Sequence, residues 1–377
     1  MITRVVKAAH VPGLRRVLQA RSHVDPQSVL FESWHGQYSD NPRAISEALW
    51  RRRPDYRQIW IVEDHLEDLP EYAELVSPHT ARYLRVLGEA GCLVTANSLP
   101  GYFLKKEAAV YLQTWHGTPL KRIGFDMTAR ALHQHRAYLR EFARDVSKWD
   151  YLISPNRFST DVLRRAFRFS GRVLETGYPR NDRLKSDARD EIREATRDRL
   201  GIDPDSRALL YAPTLRDGAR FELRLDLEEM LNQLTAPHVV LLRRHHIDRA
   251  DGTPMTPGTL DVSHISDIRD LYLAADVLIT DYSSAMFDFA VTGKPILFFT
   301  YDLAEYRDQL RGFYFDFERE APGPILQSTR EVIDALNALA EVTSQYEGAY
   351  ARFTDRFCHL DDGQASQRVI DSVFDLA

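Results

Sequence analysis

The heptapeptide WHGTPLK at 115–121 carries the sharpest chemistry in this sequence. His116 directly follows an apolar run, Val110–Thr114, that reads as a strand. An imidazole that titrates near neutrality can take a proton from a hydroxyl. Gly117 permits close backbone approach, Pro119 fixes the turn, and Lys121 adds positive charge. A loop histidine that caps a turn is the other reading of the same residues.

A second group, TDYSS at 280–284, ends the run Val277–Thr280. Ser283 and Ser284 stand where a helix through Met286–Val291 would begin. Serines there cap the helix. The same free N–H groups and the positive end of the dipole also bind phosphate. Asp288 lies one turn further on, where it either reaches a ribose hydroxyl or faces solvent. A third group, RRHH at 243–246, follows Val239–Leu242. Strand alternation puts Arg243 and His245 on one side, and a guanidinium fork suits phosphate oxygens. A solvated charge run is the alternative.

YAPTLRD at 211–217 and TGYPRND at 176–182 pair turn chemistry with a polar tail, and read as structural. His35, in FESWHGQYSDNPRAI at 31–45, reads as a structural or supporting histidine ahead of a helix start near Asn41 and Pro42. The sequence has no GxxxxGK[ST] loop, no GxGxxG after a strand, no HExxH and no GxSxG. P-loop, dinucleotide, zincin and serine-hydrolase readings therefore lose support.

The elements that must position these groups are short apolar runs alternating with helical patterns. Strands are predicted at Val29–Ser33, Ile59–Val62, Leu93–Ala96, Val110–Thr114, Tyr151–Ser154 and Val173–Thr176. A second series is predicted at Ala208–Ala212, Val239–Leu242, Val277–Thr280 and Ile296–Thr300. Helices are predicted at Ala44–Arg53, Thr80–Ala90, Ser159–Phe167 and Leu225–Leu234. Such alternation means parallel α/β structure. The charged stretch Arg183–Arg199, stopped by Gly201 and Pro204, reads as a helix at the junction of two domains. Ligands in such sheets bind beyond the carboxyl ends of the strands.

The chain has 377 residues, enough for two domains, and 44% are hydrophobic, enough for full cores. A net charge of −6 argues against general nucleic-acid binding. The two cysteines, Cys92 and Cys358, form neither a disulfide framework nor a zinc motif and fit a reducing cytosol. No apolar run approaches the ~20 residues that span a bilayer, and the first residues lack a signal peptide's apolar core. Residues 1–23 instead carry Arg4, Lys7, Arg15, Arg16 and Arg21 without an acid, interleaved with Val and Leu. That pattern suits an anionic membrane surface or a frayed terminus. Pro12 and Gly13 divide it into two short pieces.

FESWHGQYSDNPRAI, QTWHGTPLK, TGYPRND, YAPTLRD, RRHH and DLYLAADVLITDYSSAMFDFAVTGKPILFF occur in that order. Together they resemble the CDP-glycerol glycerophosphotransferase family of teichoic acid and capsule synthesis, over roughly residues 28–370. The resemblance implies a GT-B architecture, two Rossmann-like domains facing across a cleft. The division expected is a basic amphipathic segment at 1–27, an acceptor-side domain at 28–190 and a CDP-donor domain at 191–377. It implies a peripheral enzyme on the cytoplasmic face of the cell membrane. Its donor would be CDP-glycerol or a related CDP-alditol, and its acceptor a lipid-linked or polymeric alditol phosphate. Carried over residue by residue, His116 resembles the catalytic base. Arg243 and His245 match the R-x-H element at the donor phosphates, with His245 counted among the catalytic groups. Asp281, Ser283 and Ser284 match the phosphate-binding turn, and Asp288 the acidic ribose contact. Ser266 and Asp267 would approach the cytosine through their backbone. Gly117, Thr118, Lys121 and Thr280 complete the substrate-binding set. His246 departs from the family, where many members have proline. The extra N-terminal glycosyltransferase or repeat domains of longer members are not expected here.

The reaction implied is displacement at the donor's β-phosphorus by a hydroxyl that His116 deprotonates, with CMP leaving. Arg243, His245 and the turn at 283–284 would offset the developing charge. No DxD-like cluster is present, no cofactor is expected, and the sequence leaves metal dependence open. The alternatives are a CDP-ribitol or other alditol donor, sugar transfer from a nucleotide sugar, and a degenerate nucleotide-binding module.

Overall fold

The computed structural model describes residues 12–34, 36–63, 69–128, 132–133, 135–214, 222–244, 255–307 and 312–375. His35, His245 and His246 lie outside the described residues, as does the 1–11 part of the basic segment. Two compact units make up the chain. The first comprises Met1–His116, Ala129–Asp182 and Gln364–Ala377, the second Gly117–Thr128 and Arg183–Gly363.

The first unit holds a seven-stranded parallel sheet. Its strands are β1 (Asp25–Glu32), β2 (Arg57–Ile61), β3 (Ala73–Val76), β4 (Ala90–Thr95), β5 (Val110–Gln113), β6 (Tyr151–Ser154) and β7 (Arg172–Glu175), in the order β3-β2-β1-β4-β5-β6-β7. Leu30 of β1 registers with Ile59 of β2 on one side and with Leu93 of β4 on the other. The second unit holds a six-stranded parallel sheet. Its strands are β8 (Arg207–Ala212), β9 (His238–Leu242), β10 (Thr259–Asp261), β11 (Val277–Thr280), β12 (Ile296–Phe299) and β13 (Ile325–Leu326), in the order β10-β9-β8-β11-β12-β13. In each sheet the order runs outward one way from the unit's first strand and then reverses, which is the doubly wound Rossmann pattern. This is the α/β class expected from the sequence.

Both faces of such sheets are covered, so central strands read as unbroken apolar runs. Leu30, Phe31, Leu93, Leu112, Leu209, Leu210, Leu278 and Ile279 are all at most 1% exposed. The three strands missing from the sequence reading, β3, β10 and β13, all lie at sheet edges. They are two to four residues long and partly exposed, so their apolar signal is weak.

The units differ from a single cut at residue 190 in three ways. The first unit ends at Asp182, because the expected helix Arg183–Arg199 divides into a 3-10 turn, Pro179–Lys185, and a helix, Arg189–Arg199. That helix belongs to the second unit through Arg193 and Arg197, which bond Asp276 and the carbonyls of 273–275. It stops at Gly201, whose φ of +65° suits glycine. The last helix, Ala365–Val373, returns to the first unit. Val369, Ile370 and Phe374 enter its core, and the Asp182 carboxylate accepts from the Ala365 and Ser366 N–H groups. Residues 117–128 join the second unit by antiparallel pairing, with Lys121 opposite Phe313 and the Tyr314 N–H on the Leu120 carbonyl.

The described part of the basic segment forms a helix. It runs unbroken over Pro12–Arg21, with proline in the first turn, where no N–H is needed. Buried Gln19 bonds the Tyr102 carbonyl and the Leu104 N–H, while Arg16, Val17 and Arg21 face solvent.

Candidate active site

In a doubly wound sheet, ligands collect where the strand order reverses, beyond the carboxyl ends. In the first unit that point lies between β1 and β4, and it is there that His116 sits. Its Nδ1 is 3.0 Å from the Ala96 carbonyl, just past β4. A carbonyl only accepts, so Nδ1 carries the proton and Nε2 keeps its lone pair. The Trp34 ring, past β1, is 4.9 Å away, and the Trp115 ring stacks at 4.2 Å. Burial lowers the imidazole's pKa below its ordinary value near 6.5; the Ala96 bond and Asp40 oppose this, and Arg180 adds to it. The ring is therefore neutral at pH 7, as a general base must be. Trp34 (φ +42°), Asp40 (φ +61°) and Trp115 (φ +54°) all hold left-handed backbone. Three such non-glycine residues around one side chain mark a place where the fold tolerates strain to fix geometry.

The chain passes into the second unit at the peptide bond between His116 and Gly117. A Cβ on Gly117 would lie 2.8 Å from the Ser284 Oγ and 2.9 Å from its Cβ, so only glycine fits there. Thr118 is buried, and Lys121 is half-buried.

The second unit reverses its strand order between β8 and β11. There the Asp281 carboxylate accepts from the Thr214 N–H at 3.0 and 3.1 Å, from its hydroxyl at 2.5 Å and from the Tyr282 N–H at 2.6 Å. Thr280 donates its hydroxyl to the Ala212 carbonyl at 2.7 Å. Both side chains, expected among the substrate contacts, tie the two strand ends together.

Arg243 follows β9. Its Nη1 donates to the Ile265 carbonyl at 2.6 Å and the Val262 carbonyl at 3.3 Å. Among the described residues no acceptor meets its Nε or Nη2. Burial pulls its pKa down, with Tyr272 and Asp267 opposing. It is a cation partly stripped of water, with half of its fork unengaged among the described residues, a geometry that suits an anion. Asp267 caps the helix Ile268–Ala274 by accepting from the Arg269 N–H, and pairs with the buried Arg269 guanidinium at 2.7 Å. Its carboxylate is spent internally, which leaves the adjacent Ser266 hydroxyl without a partner among the described residues.

The turn at 283–284 is less of a helix start than the sequence suggests. The helix Ala285–Ala290 has six residues. Ser283 Oγ accepts from the Ala285 N–H, and the carbonyls of Ser283 and Ser284 take the next two N–H groups. The Ser283 and Ser284 N–H groups and the Ser284 hydroxyl meet no acceptor among the described residues. Asp288 is 5% exposed, so it does not face solvent.

Motifs read as structural supply the setting of His116. Trp34, Asp40 and Asn41 come from FESWHGQYSDNPRAI, and Arg180 from TGYPRND. The signal available was that both segments follow strands of the sheet that carries His116. Among the described residues no three His, Cys, Asp or Glu side chains gather to hold a metal ion. A cavity of about 540 Å³ lined by Asp316, Arg319, Glu320, Ala349, Arg352, Phe353 and Arg356 contains none of the candidate residues.

The model of the CDP-glycerol:poly(glycerophosphate) glycerophosphotransferase family matches residues 14–375. The chain belongs to that family. A teichoic acid poly(glycerol phosphate) polymerase of Bacillus subtilis is 40% identical over 376 residues, 95% of this chain and 50% of the relative. The chain thus spans about half the length of that relative. A teichoic acid glycerol-phosphate transferase of Staphylococcus aureus is 39% identical over 360 residues, 92% of each chain. Among solved structures, a histidine-to-asparagine variant of the wall teichoic acid polymerase TagF soaked with CDPG superposes with a TM-score of 0.89 at 38% identity. The match covers 97% of this chain and 93% of that one.

Proposed function

We propose that the chain transfers glycerol phosphate from CDP-glycerol to a hydroxyl of a membrane-linked teichoic-acid-type acceptor and releases CMP. The observation that carries this reading is the state of His116 in a chain of this family: Nδ1 engaged by Ala96, Nε2 free, the ring neutral near pH 7. Nε2 takes the proton of the acceptor hydroxyl as its oxygen attacks the donor's β-phosphorus. The bond from that phosphorus to the CMP oxygen breaks, and CMP leaves with the electron pair. Such a displacement asks for positioning and charge stabilisation more than for covalent help. Arg243 through Nε and Nη2, and Ser283 and Ser284 through their N–H groups, would hold the diphosphate. His245 stays a candidate catalytic group on the family resemblance alone. Ser266 offers the cytosine a backbone and hydroxyl edge. Asp288, Thr118 and Lys121 remain candidate contacts.

Purified protein incubated with labelled CDP-glycerol, CDP-ribitol or UDP-sugars and a lipid-linked acceptor should release CMP fastest from CDP-glycerol. A faster release from CDP-ribitol selects the alternative alditol. No CMP from either donor overturns the reading.

Peripheral placement on an anionic membrane surface is supported by the exposed Arg16, Val17 and Arg21 on the helix Pro12–Arg21. No described helix is long and apolar enough to cross a membrane. Arg16→Glu with Arg21→Glu should reduce sedimentation with anionic vesicles; unchanged sedimentation rejects this surface.

A further inference from the structure

The setting of His116 is organised by one carboxylate. Asp40 opens the helix Asp40–Arg52 and is nearly buried, its side chain 7% exposed. Oδ2 accepts the Trp34 indole N–H at 2.6 Å. Oδ1 accepts the Arg180 Nη1 at 2.7 Å and the Asn41 N–H at 2.7 Å. The Asn41 amide extends the network both ways. Its Nδ2 donates to the Trp115 carbonyl at 3.1 Å, and its Oδ1 accepts the Arg180 N–H at 3.1 Å. The two residues flanking the imidazole are therefore held from one point, Trp34 by its indole N–H on Asp40 and Trp115 by its backbone carbonyl on Asn41. Trp34, Asp40 and Trp115 are the left-handed residues noted above, so each is held where its backbone alone would not settle.

We propose that Asp40 is the positioning residue for His116, setting Trp34 and, with Arg180 and Asn41, Trp115 so that Nε2 is presented in one orientation. The proposal rests on His116 as base but is testable without turnover. A buried carboxylate with three donors is well satisfied, and an amide in its place can accept from fewer of them and carries no charge. The described charged groups that act on the ring are Asp40 and Arg180. The ends of β1, β4 and β5 contribute Trp34, the Ala96 carbonyl and Trp115.

The test is the titration of His116 by NMR of ¹⁵N-histidine-labelled enzyme, assigned by difference from His116→Ala, with kinetics alongside. Asp40→Asn removes the charge that favours the imidazolium and should lower the His116 pKa by about half a unit or more. Arg180→Gln removes the opposing charge and should raise it. Both should lower kcat with the donor KM near wild type. A purely structural role would change neither titration or would move both in the same direction; either result overturns the proposal. Trp34→Phe keeps an aromatic ring and deletes the indole donor, which covers the case in which Asp40→Asn does not fold. A kcat reduced about tenfold or more, with an unchanged melting temperature, is the expected result. An unchanged kcat in that variant also overturns it. If His116→Ala retains turnover, the base reading fails, while the opposite shifts still report whether Asp40 and Arg180 set the ring.

Discussion

The two switch points of this chain are built alike and furnished differently. In the first unit the space beyond β1 and β4 is filled around a single imidazole by two indoles on left-handed backbone. In the second unit the ends of β8 and β11 are joined by the Asp281 to Thr214 tie, and Arg243, Ser266, Ser283 and Ser284 carry groups without a partner among the described residues. One site fixes a neutral imidazole, and the other holds N–H and O–H donors without an acceptor among the described residues. The doubly wound topology supplies the location in both cases, and the loops after the strands decide the chemistry.

Four perturbations should break or sharpen this contrast. Phe374→Ala empties a side chain that is 2% exposed in the first unit's core, where it meets Tyr56 edge-on at 5.5 Å. A loss of about 3–5 kcal/mol in urea unfolding is expected, with the second unit's donor affinity unchanged. Arg243→Ala should leave the His116 titration alone and weaken CDP-glycerol binding by calorimetry, by about 1.5–3 kcal/mol, or roughly 10- to 100-fold. Gly117→Ala pushes a methyl into Ser284. It should cost about 1–3 kcal/mol in thermal or urea stability and raise the donor KM. The smallest effect is on pH. Because burial depresses the His116 pKa, its protonation, and with it the fall of kcat/KM on the acid side, should come below pH 6.5. An acid limb above 6.5 would assign it to another group.

Much of this was legible in the sequence because buried parallel strands are unbroken apolar runs. Tyr151–Ser154 and Val277–Thr280 have the predicted bounds. The edge strands β3, β10 and β13 were not legible, since half-exposed residues carry little periodic signal. The return of Ala365–Val373 to the first unit depends on where Asp182 and the core meet it, a long-range fact with no local mark. His116 and Arg243 stand out in the sequence as candidates because each combines a reactive group with a strand end. Asp40 and Arg180 do not, because an acid at a helix start and an arginine after a Tyr-Pro turn are ordinary until the fold brings them together, 140 residues apart. Thr280 and Asp281 looked like ligand contacts for the same reason that Arg243 did, their place at a strand end. Their bonds to Thr214 and Ala212, which tie the strand ends, have no mark in the sequence.

The central claim is a division of labour, proton transfer in the first unit and donor binding in the second. Measuring CMP release and CDP-glycerol affinity on His116→Ala and Arg243→Ala in parallel tests it most directly. The account predicts that His116→Ala loses roughly 10²- to 10⁴-fold in turnover with near-normal donor affinity, while Arg243→Ala loses donor affinity first. Turnover surviving in His116→Ala, or donor affinity collapsing in it as in Arg243→Ala, would contradict the account.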